Sequence, residues 1–307
     1  MVSNYSFTTA LNLTAAWTLL LADILATLWL SGRLVRPAVA VLALALVANV
    51  DPAAAQSADP VYATNNTVLA YVKTGDTRVD SVSEAGLRGL TEVLFNRTAI
   101  EPADPVAVDL ETDELAFYPF LYWPISERQR QPSDEAYGKL NNFLRSGGMI
   151  LFDTREAHLS GGSGLSTPNG QVLQNLASKL DVPPLEPIPA DHVLTRTFYL
   201  LQAFPGRWNS PEIWVEASPD AEEIDGLPFR NLNDGVTPIV IGGNDWASAW
   251  AINENGQFMF PVGSGTGGAR QREIAYRFGV NLIMHVMTGN YKSDQVHVPA
   301  LLERLGQ

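Results

Sequence analysis

The chain has no cysteine in 307 residues. That absence excludes disulfides, thiolate metal sites and every mechanism with a cysteine nucleophile. Histidine is scarce as well, with four scattered residues and no HExxH pair, so the ligand spacing of a zinc enzyme is missing. No serine stands in a Gly-x-Ser-x-Gly context, which removes the elbow-type serine hydrolases. Basic residues are outnumbered, 20 against 33 acidic ones, for a formal net charge of −13. Affinity for a phosphate backbone is built from Lys and Arg and would work against this field, so nucleic acid is not an expected partner. What the chain does have is apolar content, 46%, ample for a packed core.

The first 56 residues read as a membrane anchor. "ALNLTAAWTLLLADILATLWL", Ala10 to Leu30, is long enough to span a bilayer and carries Asp23 as its only charge. A second apolar segment, Ala38 to Val50, is short for a span but fits the core of a signal peptide, and "AAAQ" offers a cleavage point after Ala55. A cleaved product and a two-helix hairpin both remain open. Arg33 and Arg36 between the two runs are expected on the cytoplasmic side, which sends everything after Gln56 across a bacterial inner membrane into the periplasm.

After a linker at 57–66, a domain at 67–290 and a tail at 291–307 are expected. Strands are predicted at Thr67–Val72, in "PVAVDL", at Leu115–Ile125, at Met149–Phe152, in "EIWVEA" and in "TPIVIGG". Helical periodicity is predicted from Val79 to Phe95. A second helix, capped by Ser133 and stopped by Gly147, has Tyr137, Leu140, Phe143 and Leu144 on its apolar face, and a third runs from Ile274 to Met287. Alternation of strand and helix predicts an α/β fold with a doubly wound parallel sheet.

In such sheets ligands collect beyond the carboxyl ends of the strands. There the sequence offers "LFDTREAH", with Asp153, Thr154, Arg155 and His158, and "IGGNDW", with Asn244 and Asp245. His192, preceded by Asp191, is an oriented base or simply a helix cap. These seven residues are the expected ligand-binding set, with Asp153 and His192 the candidates for catalysis. Neither a metal nor a cofactor is expected. The glycine segment Gly161–Gly170 matches neither a phosphate loop nor a dinucleotide fingerprint.

The blocks "LAYVKTGD", "AGLRGLTEVL", "FYPFLYWPI", "LRSGGMILFDTRE", "DHVLTRTFYLLQAFPGRW", "TPIVIGGNDWASAWA" and the closing "RQREIAYRFGVNLIMHVMTGNYKSDQVHVPALLERLGQ" carry a likeness. The chain from Thr67 to Gln307 resembles bacterial domain of unknown function family 4159, the outer C-terminal part of double-transmembrane, BatA-type membrane proteins. The resemblance implies a flavodoxin-like fold of the class I glutamine amidotransferase-like superfamily. It does not imply amidotransferase activity, because that superfamily's nucleophile is a cysteine on a strand-to-helix elbow. Asp153 is expected on comparable ground. MoxR-type ATPases and von Willebrand A-type membrane proteins are the partners implied by analogy. Longer members carry an additional BatA-like N-terminal region, so this chain resembles a shortened form. The resulting expectation is a membrane-anchored, non-enzymatic binding domain in an envelope-associated assembly. The alternative is a hydrolase of a cell-envelope substrate working through Asp153 and a histidine.

Overall fold

The computed structural model describes residues 66–159, 167–182, 184–217, 238–263 and 266–305. The expected anchor segments at 10–30 and 38–50 lie outside these, as does most of the glycine segment, residues 161–166. Among the described residues no helix is long and apolar enough to cross a membrane.

Strand β1 (Thr67–Val72) is buried almost throughout because both of its faces are covered, and "VLAYV" is apolar at every position. Helix α1 (Thr77–Arg97) follows, its start fixed by Asp76, whose side chain accepts the Arg78 N–H. Strand β2 (Pro102–Val108) pairs parallel with β1 at the sheet edge. The aromatic run expected as one strand from Leu115 divides: Leu115–Phe117 is a 3-10 turn capped by Glu114, and only Phe120–Pro124 forms β3. Helix α2 (Asp134–Arg145) has the Ser133 cap and ends before Gly147 at φ 91°, a conformation that costs a side-chain-bearing residue energy. Strand β4 is Met149–Asp153, and α3 (Pro168–Ala177) follows with Thr167 as its cap.

Two short strands, β5 (Leu185–Pro187) and β6 (Trp214–Glu216), precede β7 (Ile239–Gly242). The sheet order is β2-β1-β3-β4-β7-β6-β5. The five strands from β2 to β7 run parallel, whereas β6 and β5 are antiparallel to their neighbours, so the sheet is mixed rather than wholly parallel. Between β5 and β6 the described chain holds only a 3-10 turn, Val193–Thr195, and antiparallel neighbours need no crossover helix. Strand β7 returns from that edge to lie against β4, pairing Gly242 with Asp153. The short helix α4 (Trp246–Trp250) then leads to α5 (Thr266–Leu305), which begins before the expected Ile274 and continues through the segment expected as a tail.

The sheet is covered on both faces. One core joins Leu69, Tyr71 and Tyr122 to Leu87 and Leu90 of α1, Trp246 and Trp250 of α4 and Phe278 of α5. The other joins Val68, Leu121 and Phe152 to Tyr137 and Phe143 of α2 and Leu173 of α3. Removing three fully buried tryptophans, Trp123, Trp246 and Trp250, from water is worth roughly 2 kcal/mol or more apiece, and it commits α4 to the interior. Two glycines of α1 let that short helix close in. A Cβ at Gly89 would stand 2.0 Å from the Trp250 carbonyl oxygen, and one at Gly86 would stand 2.5 Å from that of Ala247.

Candidate functional site

The carboxyl ends of β1, β4 and β7 deliver three chain segments to one edge. After β1, the backbone N–H and hydroxyl of Thr74 both donate to Oδ1 of Asp80, at 2.9 and 2.7 Å, closing the turn that presents Asp76 and Arg78. After β4, Arg155 sits at φ 61°, and after β7, Asp245 sits at φ 54°. Among the described residues these two alone combine a side chain with positive φ, and backbone strain of this kind is retained where surrounding contacts over-determine it.

Asp153 is the contact that holds both. Its Oδ1 accepts the backbone N–H of Arg155 at 2.9 Å and that of Asp245 at 3.2 Å. Its Oδ2 accepts the Tyr122 hydroxyl at 2.9 Å and the Trp246 N–H at 2.8 Å. The carboxylate is wholly buried and meets four protein donors, so it joins the ends of β4 and β7 to the start of α4. Burial and the neighbouring Asp245 carboxylate push Asp153 up to about 7, against the pull of its donors and of Arg155. Burial also raises Asp245, opposed by the Ser248 hydrogen bond and the charges of Arg155 and Arg207. The Tyr122 hydroxyl is pushed well above its ordinary value by burial first, and so serves as a neutral donor.

A cavity of about 280 Å³ opens beside this buckle, lined by Arg155, Asp245, Asp76, Arg78, Arg207 and Phe260 among others. Arg155 donates from Nη2 to the Ile125 carbonyl at 2.7 Å, while its Nε is buried without a partner. Arg207 arrives from the segment between β5 and β6. Its guanidinium lies 4.9 Å from the Trp208 ring centre and 5.1 Å from that of Phe260, with Nη1 3.6 Å from Oδ2 of Asp245. Two aromatic rings thus lie within cation–π range of the guanidinium.

Of the seven residues expected from sequence, Asp153, Arg155 and Asp245 converge here. Asn244 is fully buried but acts through the chain: its Oδ1 accepts the Ser210 N–H at 2.8 Å, and its Nδ2 donates to the Phe204 and Ser210 carbonyls at 2.9 and 3.0 Å. It thereby pins the segment that carries Arg207. Thr154 is buried against the Gly242 carbonyl, with Oγ1 3.4 Å away. His158 packs on Trp208, ring centres 4.5 Å apart, and does not line the cavity. Nor does His192, which is itself the cap of the Val193–Thr195 turn, its Nδ1 accepting the Leu194 N–H at 3.2 Å. Burial lowers the His192 pKa. No group of three or more His, Asp and Glu among the described residues is placed to hold a metal.

Arg78, Arg207 and Tyr122 were not among the expected site residues. Only the aromatic neighbours of Arg207 in "FPGRW" hinted at a stacked guanidinium, and nothing local marks the other two. A larger cavity, about 620 Å³, lies between α1 and α5. Most of its charged groups are engaged within the fold: Arg97 pairs with Glu273, and Arg272 donates to the Ala249 and Phe260 carbonyls. In sequence, glycines 263, 265 and 268 have dinucleotide-fingerprint spacing, but among the described residues no strand leads directly into them, so the context that gives the spacing meaning is missing.

Among protein families, the model of a domain of unknown function, DUF4159, matches residues 68–287. Comparison with curated proteins finds no match.

Proposed function

For this chain, which belongs to the DUF4159 family, we propose a ligand-binding rather than a catalytic role, centred on the cavity beside Asp153. The carrying observation is that both carboxylate oxygens of Asp153 are engaged by four protein donors. A general base needs a free lone pair within reach of the proton it removes, and a nucleophile needs exposure; Asp153 has neither. It is a positioning residue that sets Arg155 and Asp245 against the cavity. No histidine lines that cavity, which takes support from a hydrolase working through Asp153 and His158 or His192.

We read the sheet as flavodoxin-like, of the glutamine amidotransferase-like kind. The order β2-β1-β3-β4 supports this, since the chain reverses direction of travel across the sheet at β1. The apolar run at 10–30 followed by Arg33 and Arg36 supports a membrane anchor with this domain on the periplasmic side. In that setting a ligand-reading domain fits an assembly with a MoxR-type ATPase and von Willebrand A-type membrane proteins, by family analogy alone.

Equilibrium dialysis of the purified full chain against a small-molecule extract of its own cells, read by mass spectrometry, tests the role. A compound retained unchanged by the wild type and released by Arg207→Gln is the expected result. Conversion of the retained compound would establish catalysis instead. Retention of nothing would overturn ligand binding.

A further inference from the structure

The cavity's lining specifies what kind of ligand it takes. Three guanidinium-bearing side chains, Arg78, Arg155 and Arg207, line it against two carboxyl groups, Asp76 and Asp245, in a chain whose net charge is −13. Guanidinium groups outnumber carboxyls in the lining, and not all of their donors are spent. The nearest carboxylate oxygen to Arg207 is 3.6 Å from Nη1, beyond a good hydrogen bond, and Arg78 is exposed at the rim. Of the aspartates, Asp76 accepts the Arg78 N–H and Asp245 is bonded by Ser248. The complement of unspent donors is an acceptor, and guanidinium forks fit a carboxylate in its plane.

Charge and shape narrow the class. A phosphate dianion would bring a second negative charge up to Asp76 and Asp245. A monoanion balances the lining. Val79, Val82 and Phe260 form an apolar wall of the same cavity, so the rest of the ligand is a short hydrocarbon body. A volume of about 280 Å³ sits at the small end of ligand sites, which suits a small molecule.

Deepening the ligand-binding role proposed above, on which it rests, we propose that the cavity binds a small aliphatic monocarboxylate, its carboxylate between Arg155 and Arg207 and its chain against Phe260 and the valines of α1. The test is calorimetric titration of the purified full chain with sodium butyrate, butyramide and inorganic phosphate. Saturable butyrate binding is expected, about tenfold weaker in Arg207→Gln, as for loss of one charge-assisted contact. Butyramide should bind at least as poorly as butyrate does to that variant. If Arg207→Gln fails to fold, exposed Arg78→Gln supplies the same comparison with a smaller loss.

Butyramide binding as well as butyrate would overturn the carboxylate assignment, as would tighter binding of phosphate or the absence of saturable butyrate binding. The two levels separate cleanly. No butyrate binding together with a compound retained in dialysis sinks the ligand class alone, and failure of both sinks the binding role.

Discussion

The backbone N–H of Asp245 donates to Oδ1 of Asp153 across 92 residues of sequence, at 3.2 Å, and that same oxygen takes the N–H of Arg155. One atom therefore fixes the two left-handed residues of the cavity wall. The side chain that looks most like a catalyst is the fastening of the site.

Removing the fastening should cost stability before it costs anything else. Asp153→Ala leaves the N–H groups of Asp245 and Trp246 and the Tyr122 hydroxyl without their buried acceptor. A loss of about 3 kcal/mol or more is expected in urea unfolding of the full chain. Asp153→Asn should recover only part of it, because an amide offers a single acceptor oxygen to donors that now use two. A loss below about 1 kcal/mol would show that the four bonds are not holding the strand ends.

The pH dependence has a definite sign. Asp153 is raised to about 7 in the folded chain, so the folded state holds more protons than the unfolded state from its ordinary value of 3.8 upward. Its contribution to stability is full below the unfolded value and is lost as pH rises through about 7. Half-buried His192 is lowered and works oppositely, its contribution being lost as pH falls, so the comparison must be between wild type and Asp153→Asn. The stability difference between them should shrink as pH rises from about 5 to about 8. Tyr122→Phe removes a bond that favours the ionised form and should move this change to higher pH. A difference that grows with pH would contradict the assignment.

Asn244 should prove a loop fastener. Asn244→Ala removes three bonds to Phe204 and Ser210, at an expected cost of about 2 kcal/mol. Hydrogen exchange should quicken at Gly206, Trp208 and Ser210 while the amides of α1 stay protected. Equal acceleration in both places would mean global rather than local loosening.

Two glycine-to-alanine changes should differ in sign. Gly89→Ala forces a methyl against the Trp250 carbonyl and should destabilise by about 2 kcal/mol. A Cβ at Gly138, within α2, meets nothing within 4 Å, so Gly138→Ala should stabilise by about 0.5 to 1 kcal/mol. Thermal unfolding of the two variants reads both.

Where local chemistry decides structure, the sequence was readable. The Ser133 cap, the Gly147 stop, the continuous apolar strands β1 and β4, and the inward set Ala275, Phe278, Leu282 and Val286 on α5 all follow from spacing. The Leu115–Ile125 run misled because its aromatics are buried in a turn as well as in a strand, with Glu114 supplying the cap. The strand-end rule put Asp153, Arg155 and Asp245 on the same edge. Arg207 and Arg78 were not legible as partners, since their approach depends on β7 entering the middle of the sheet and on Asn244 tying down the 204–210 segment. His192 is the cap that the sequence offered as one of its two readings, and exposed His158 packs on Trp208 away from the cavity.

The glycines of α1 have a consequence for the cavity that its own lining does not reveal. Val79, Val82 and Ser83 stand on one bank, Asp245 and Ser248 on the other, and Gly86 marks where the backbones of the two banks touch. The gap between the banks is gauged by a methyl group that is absent. A single alanine at Gly86 would therefore press on the backbone of Ala247, a cost in stability like that at Gly89, and would push the two banks of the cavity apart without changing any residue that lines it.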